Sequence, residues 1–168
     1  RELLRKDGYS IGRFDSRIKG VEQNDVSEVF ESDPSFDVVQ GVYSACLNNY
    51  LRSELKFESD LPYEILSFKV LPKWKYDEHE NDFVNVAETL RGALKKNPHL
   101  QLFIANGRYD LATPFFATEY TLNHMNVRNG ADKNIEVAYY DAGHMMYTHK
   151  KSLARLSADL LRFVKRTS

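Results

Sequence analysis

Leu100-Gln101-Leu102-Phe103-Ile104-Ala105 runs into Asn106-Gly107-Arg108-Tyr109-Asp110, and Ile135-Glu136-Val137-Ala138-Tyr139-Tyr140 runs into Asp141-Ala142-Gly143-His144-Met145. Both runs have strand length, and each ends in a glycine-bearing turn that presents one group capable of proton chemistry. The first is apolar but for Gln101, which suggests burial on both faces, as in a parallel sheet. Between them, Thr113-Pro114 opens a predicted helix through about Met125, with Thr113 as cap and Pro114 at its first position. Downstream, Leu153, Leu156, Leu160, Leu161, Phe163 and Val164 fall on one face of a final amphipathic helix. Upstream, Val84, Ala87, Leu90, Ala93 and Leu94 mark another helix, capped at Asn81 or Asp82 and ending near Asn97-Pro98. Helix–strand–helix–strand–helix with short links predicts an α/β layered fold.

In open α/β sheets, reactive groups collect beyond the carboxyl ends of the strands. Asp110 and His144 both fall there. A neutral imidazole is the usual general base near neutral pH. It needs a partner that fixes its tautomer and stabilises the imidazolium, and a carboxylate on one ring nitrogen does both. Gly107 and Gly143 permit the tight turns that would hold the two side chains over the sheet edge. The bland readings are that Asp110 caps the helix beginning at Thr113 and that His144 is a hydrogen-bonded structural residue. Order and spacing on successive strands favour the paired reading.

The first 80 residues lack the alternation. Glu2 to Lys6 reads as the tail of a helix ending at Gly8, and Ser10 to Gly20 as irregular, charged chain. Asp33-Pro34 starts a long helix whose apolar face runs through Phe36, Val39, Tyr43, Cys46, Leu47, Tyr50, Leu51 and Leu55. Leu61 to Tyr76 reads as loop with a short extended piece. The expected organisation is a mostly helical, cap-like region over 1–80 and an α/β core over 81–168.

The 168 residues are 42% hydrophobic, which argues against disorder. Lysine and arginine number 23 against 24 acidic residues, a formal net charge of -1. Such a balance implies no cationic surface for nucleic acid or an anionic membrane. The one cysteine, Cys46, makes neither an internal disulfide nor a cysteine-based zinc site. Asp77-Glu78-His79-Glu80 matches no metal-ligand spacing, and a charge run of this kind is ordinarily a solvated loop. No cofactor is expected. His124, inside a helix, and His149, leading into the last one, read as surface or packing residues.

Gly8-Tyr9-Ser10-Ile11-Gly12 satisfies G-x-S-x-G and precedes the acid and the base in the order used by α/β hydrolases. Its context argues against it. A nucleophile elbow joins a buried strand to a helix, whereas Arg1 to Asp7 are charged and helix-like and Arg13 to Arg17 show no amphipathic helix. With the elbow go the adjacent amides of an oxyanion hole. The chain opens on Arg1 rather than Met, and the expectation is a C-terminal part of a longer serine hydrolase, inactive alone.

Gly107-Arg108-Tyr109-Asp110-Leu111-Ala112-Thr113-Pro114 and Ala142-Gly143-His144-Met145-Met146-Tyr147 resemble the aspartate and histidine motifs of the serine carboxypeptidase family, bacterial members above all. Gly12-Arg13-Phe14-Asp15-Ser16-Arg17 and Tyr50-Leu51-Arg52-Ser53-Glu54-Leu55 resemble stretches upstream of those motifs. The resemblance implies the C-terminal portion of an α/β-hydrolase fold with an inserted helical cap. It implies release of C-terminal residues from peptides by a Ser-Asp-His triad, with Asp110 and His144 as acid and base and Met145 lining the substrate pocket. It further implies a secreted or periplasmic protein whose nucleophile is carried by the N-terminal portion of the same polypeptide, the expected partner. Relatives that transfer acyl groups to small alcohols share these motifs. A non-catalytic binding module, or a hydrolase using Ser10, are the competing readings.

Overall fold

The computed structural model describes residues 2–22, 32–67, 69–76, 79, 83–127 and 131–167. It is a mixed helix and strand structure with two two-stranded sheets. The chain divides into two compact units, one of residues 1–35 with 85–168 and one of residues 36–84.

The first unit holds the alternation read from the sequence: α2 (Ala87–Lys96), β3 (Leu102–Gly107), α3 (Phe115–His124), β4 (Ile135–Tyr140) and α4 (Lys150–Thr167). Strands β3 and β4 pair in parallel, Leu102 opposite Ile135 through Gly107 opposite Tyr140. The period of two sorts their side chains between two helices. On one face, Asn106 accepts a hydrogen bond from Thr118 of α3 (2.9 Å), and Tyr139 donates to Glu119 and packs edge-on against Phe115. On the other, Phe103 meets Phe163 of α4, while Ala138, Tyr140, Ala142 and Met146 form a core with Phe103, Ala105 and Leu156.

Particulars differ from the sequence reading. β3 begins and ends two residues later than expected: pairing starts with Leu102 opposite Ile135, and Asn106 and Gly107 still pair with Tyr139 and Tyr140. The face α4 turns to the sheet is not its leucine stripe. Ser152 and Asp159 are buried, Leu156 and Phe163 partly so, and Leu153, Leu160, Leu161 and Val164 are exposed. The reason is polar: the Tyr140 hydroxyl donates to Asp159 (2.9 Å), which also takes Arg162 (2.8 Å), and Arg162 continues to Glu136 (3.0 Å). A buried phenol must find an acceptor, and a helix face can supply one. Burial first, and Asp159 second, push the Tyr140 hydroxyl well above the ordinary tyrosine range.

Ser10 to Gly20, expected to be irregular, contains an antiparallel hairpin of β1 (Tyr9–Ile11) and β2 (Lys19–Val21), with Ser10 opposite Gly20. Short strands rich in Ser, Lys and Gly give little propensity signal; here Gly12 N–H to Ile18 O and Glu22 N–H to Gly8 O close the hairpin. A 3-10 stretch, Glu2–Asp7, precedes it and ends at Gly8, whose φ of 71° suits glycine. The N-terminus of α1 (Pro34–Asn49) begins where Asp33-Pro34 announced it, Asp33 accepting the Ser35 N–H at 2.9 Å. Asn81, Asp82, Asp77, Glu78 and Glu80 lie outside the described residues; α2 starts at Ala87, whose N–H is taken by Asn85 (3.0 Å).

In the second unit α1 runs into a π-helical turn, Tyr50–Glu54, and a 3-10 turn lies further on at Leu71–Lys73. Val38, Val42, Tyr43 and Tyr50 on this helix are exposed. Among the described residues no helix is long and apolar enough to cross a membrane.

Candidate functional site

The strand pairing does not stop where β3 and β4 stop. Arg108 N–H donates to Tyr140 O (2.9 Å) and Tyr109 N–H to Ala142 O (3.1 Å), so the two exit loops leave the sheet side by side. Asp110 follows directly on one loop, and His144 follows one residue later, past Gly143, on the other. Asp110 Oδ2 lies 2.8 Å from His144 Nδ1. The structure therefore brings the two sequence-derived candidates together at one sheet end.

Asp110 is 5% exposed. Its Oδ1 accepts the N–H groups of Ala112 (2.8 Å) and Thr113 (3.0 Å), and its Oδ2 accepts the Thr113 hydroxyl (2.6 Å) beside the imidazole. The carboxylate thus caps a turn and holds the histidine at once; the two readings of Asp110 are compatible. Burial acts to raise its pKa, but the Thr113 hydroxyl and amide, His144 and the Ala112 amide together outweigh it, and the carboxyl lies below the usual range. It is ionised whenever the imidazole is to be oriented.

Thr113 is not the helix cap expected of it. Pro114 occupies the N-cap position of α3, and the Thr113 hydroxyl turns back to the site, 3.2 Å from His144 Nδ1. With Nδ1–H directed at Asp110, Nε2 is the nitrogen left to act, and the side chain is 42% exposed. This arrangement can take a proton from a donor at Nε2, hold the imidazolium against a buried anion, and return the proton to a leaving group.

Gly107 and Gly143 are required by close approach rather than by torsion. A Cβ on Gly107 would overlap the Gly143 carbonyl, and one on Gly143 would overlap the Phe14 carbonyl and Asp15. Met145 follows His144 half-buried, its carbonyl accepting the Thr148 N–H (3.0 Å) and hydroxyl (2.8 Å). His124 stacks on Tyr120 and His149 bonds Ser152 (2.8 Å), the local packing roles read from sequence. Ser10 lies in the middle of β1, 6% exposed, on an antiparallel strand rather than at a strand-to-helix elbow. Among the described residues no group of three or more His, Cys, Asp or Glu could hold a metal ion.

Two further carboxylates share the electrostatic signature of Asp110. Asp15 and Asp159 also lie below the usual range, burial opposing the shift and hydrogen bonds from Arg17, or from Tyr140 and Arg162, prevailing. A folded-state pKa below the unfolded one stabilises the fold above the unfolded value of about 3.9 and loses that contribution as pH falls through the folded value. Thermal melts should therefore be level near pH 6 and fall steeply below about pH 4. Midpoints unchanged down to pH 2 would show that these carboxylates do not gain from folding.

Comparison of the chain with family models, with curated proteins and with solved structures finds no match.

Proposed function

We propose that this chain supplies the acid and the base of a serine-type carboxypeptidase built on an α/β-hydrolase fold, and that the nucleophile belongs to the N-terminal portion of the same protein. The observation that carries the proposal is the 2.8 Å contact between a buried, four-fold hydrogen-bonded Asp110 and a half-open His144 at the ends of adjacent parallel strands. The resemblance of the two loop motifs to serine carboxypeptidases supplies the reaction class. A second support is the sheet itself. Among the described residues β3 pairs with β4 alone, and most of its side chains are only partly buried. An apolar parallel strand normally has neighbours on both edges, and an open edge invites association.

The serine hydroxyl gives its proton to His144 Nε2 as its oxygen bonds to the carbonyl carbon of the last peptide link. Asp110 stabilises the imidazolium. The C–N bond then breaks, the proton passes to the departing amino acid, and water repeats the sequence on the acyl-enzyme.

The test is made on the polypeptide that includes the upstream segment. A fluorophosphonate should label one serine outside these 168 residues and stop release of the free C-terminal amino acid from an N-blocked dipeptide. Absence of both label and release contradicts the proposal. Labelling at Ser10, lost in Ser10→Ala, would instead place the nucleophile in β1.

A further inference from the structure

The strand ladder ends at Ala142, one residue short of Gly143 and two short of His144. Something else must hold the base against its acid. We propose that the turn Arg13–Arg17, between β1 and β2, is the positioning element of the site, with Asp15 and Arg17 locking both exit loops together; this rests on the catalytic reading of Asp110 and His144.

The backbone contacts come first. Leu111 N–H donates to Arg13 O (3.0 Å) and Ser16 N–H donates to Tyr109 O (2.9 Å), so the turn grips the residues on either side of Asp110. Between those two bonds, His144 N–H donates to Phe14 O (2.6 Å). The turn thus does for the loops what a third strand does for a sheet. It alternates between the acid loop and the base loop, and fixes one against the other.

The side chains repeat the pattern. Arg17 forks onto Asp15 through Nε (2.9 Å) and Nη2 (2.7 Å). Its remaining Nη1 donates to Asp141 O (3.0 Å) on the base loop, and its guanidinium lies 4.6 Å from the centre of the Tyr109 ring on the acid loop. Asp15 packs against Gly143, where an added Cβ would overlap it, and the Gly143 backbone helps hold the Asp15 carboxyl below the usual range. One ion pair therefore touches the residues adjoining Asp110 and His144 without touching either side chain. A planar fork that also stacks is a role lysine cannot fill.

The turn is itself anchored. Arg13 N–H donates to the Asp33 carboxylate (3.1 Å) and Phe14 N–H to Ser35 Oγ (3.0 Å) at the start of α1. The Phe14 ring sits tilted against the His144 ring, centroids 5.5 Å apart, and restricts the imidazole. Asp15 and Arg17 are positioning residues, because they act through the loops.

Arg17→Lys and Asp15→Asn test this in the complete protein. Each keeps a polar side chain of similar size and breaks the fork. A misplacement of the order of 1 Å at the base costs about a hundredfold in rate, so kcat should fall by about that factor. KM should stay within about threefold, because the change acts on the placement of the base rather than on binding. The second readout needs no activity: the low-field proton resonance of His144 Nδ1–H, retained by Asp110, should broaden and exchange faster with water in both variants. That resonance separates the two proposals, since it responds to the clamp even if the protein hydrolyses no peptide. Folded variants with wild-type kcat and an unchanged resonance overturn the inference. If Arg17→Lys does not fold, Asp15→Asn alone decides in the same way.

Discussion

On the proposed peptidase reading, Asp110→Asn should lower turnover of the complete protein by about ten-thousandfold while leaving the fold in place. The reason lies in which atoms the carboxylate oxygens serve. Oδ1 takes two backbone N–H groups, from Ala112 and Thr113. In the variant the amide oxygen must occupy that position, since an NH2 group there would face two donors. The NH2 group then falls where Oδ2 was, opposite His144 Nδ1 and the Thr113 hydroxyl. To avoid a donor facing a donor, the imidazole must move its proton to Nε2. The nitrogen that should accept the serine proton is then already protonated. Steady-state release of the C-terminal residue at saturating substrate measures the effect; a loss below about tenfold would mean that the contact does not set the tautomer.

His144→Ala should remove the base altogether, with a loss on the order of a thousandfold or more in turnover. Folding should survive. The backbone bond from residue 144 to Phe14 O does not depend on the side chain, and Asp110 retains its three other donors. The deleted ring is partly solvated, so the cost in stability should not exceed that of one net hydrogen bond, about 1 kcal/mol. Combined with Asp110→Asn, the losses should not multiply, because an acid without a base to orient has nothing to contribute. Unchanged turnover in His144→Ala would remove this residue from the mechanism, whatever its distance from Asp110.

Much of the α/β arrangement could be read from residue order. Ile135–Tyr140 is a strand with the bounds its apolar run gives, and α2, α3 and α4 fall on the expected stretches. The face of α4 could not be read so. Periodicity marks where apolar residues recur on a helix but not which side meets the sheet. That choice is made by Tyr140, whose hydroxyl at the end of β4 selects Asp159 on the neighbouring face. Thr113 was obscured by its own propensity: a threonine before proline at a helix start looks like a cap, and only the turn at Asp110 redirects its hydroxyl.

The Asp110–His144 contact was legible because both residues follow strand-like runs, and successive parallel strands place their exits side by side. The turn Arg13–Arg17 carried no such local signal. Its part depends on a main chain distant in sequence: Gly12–Arg17 resembled a family stretch with no role attached to it, and Gly143 leaves room for the Phe14 carbonyl that a side chain would occupy.

The most direct measurement is the 15N spectrum of the His144 ring in the neutral imidazole form. The account requires a proton on Nδ1, bound to Asp110, and a bare Nε2 facing the opening of the site. A proton found on Nε2, with Nδ1 accepting, would leave this histidine unable to act as a base there and would contradict it.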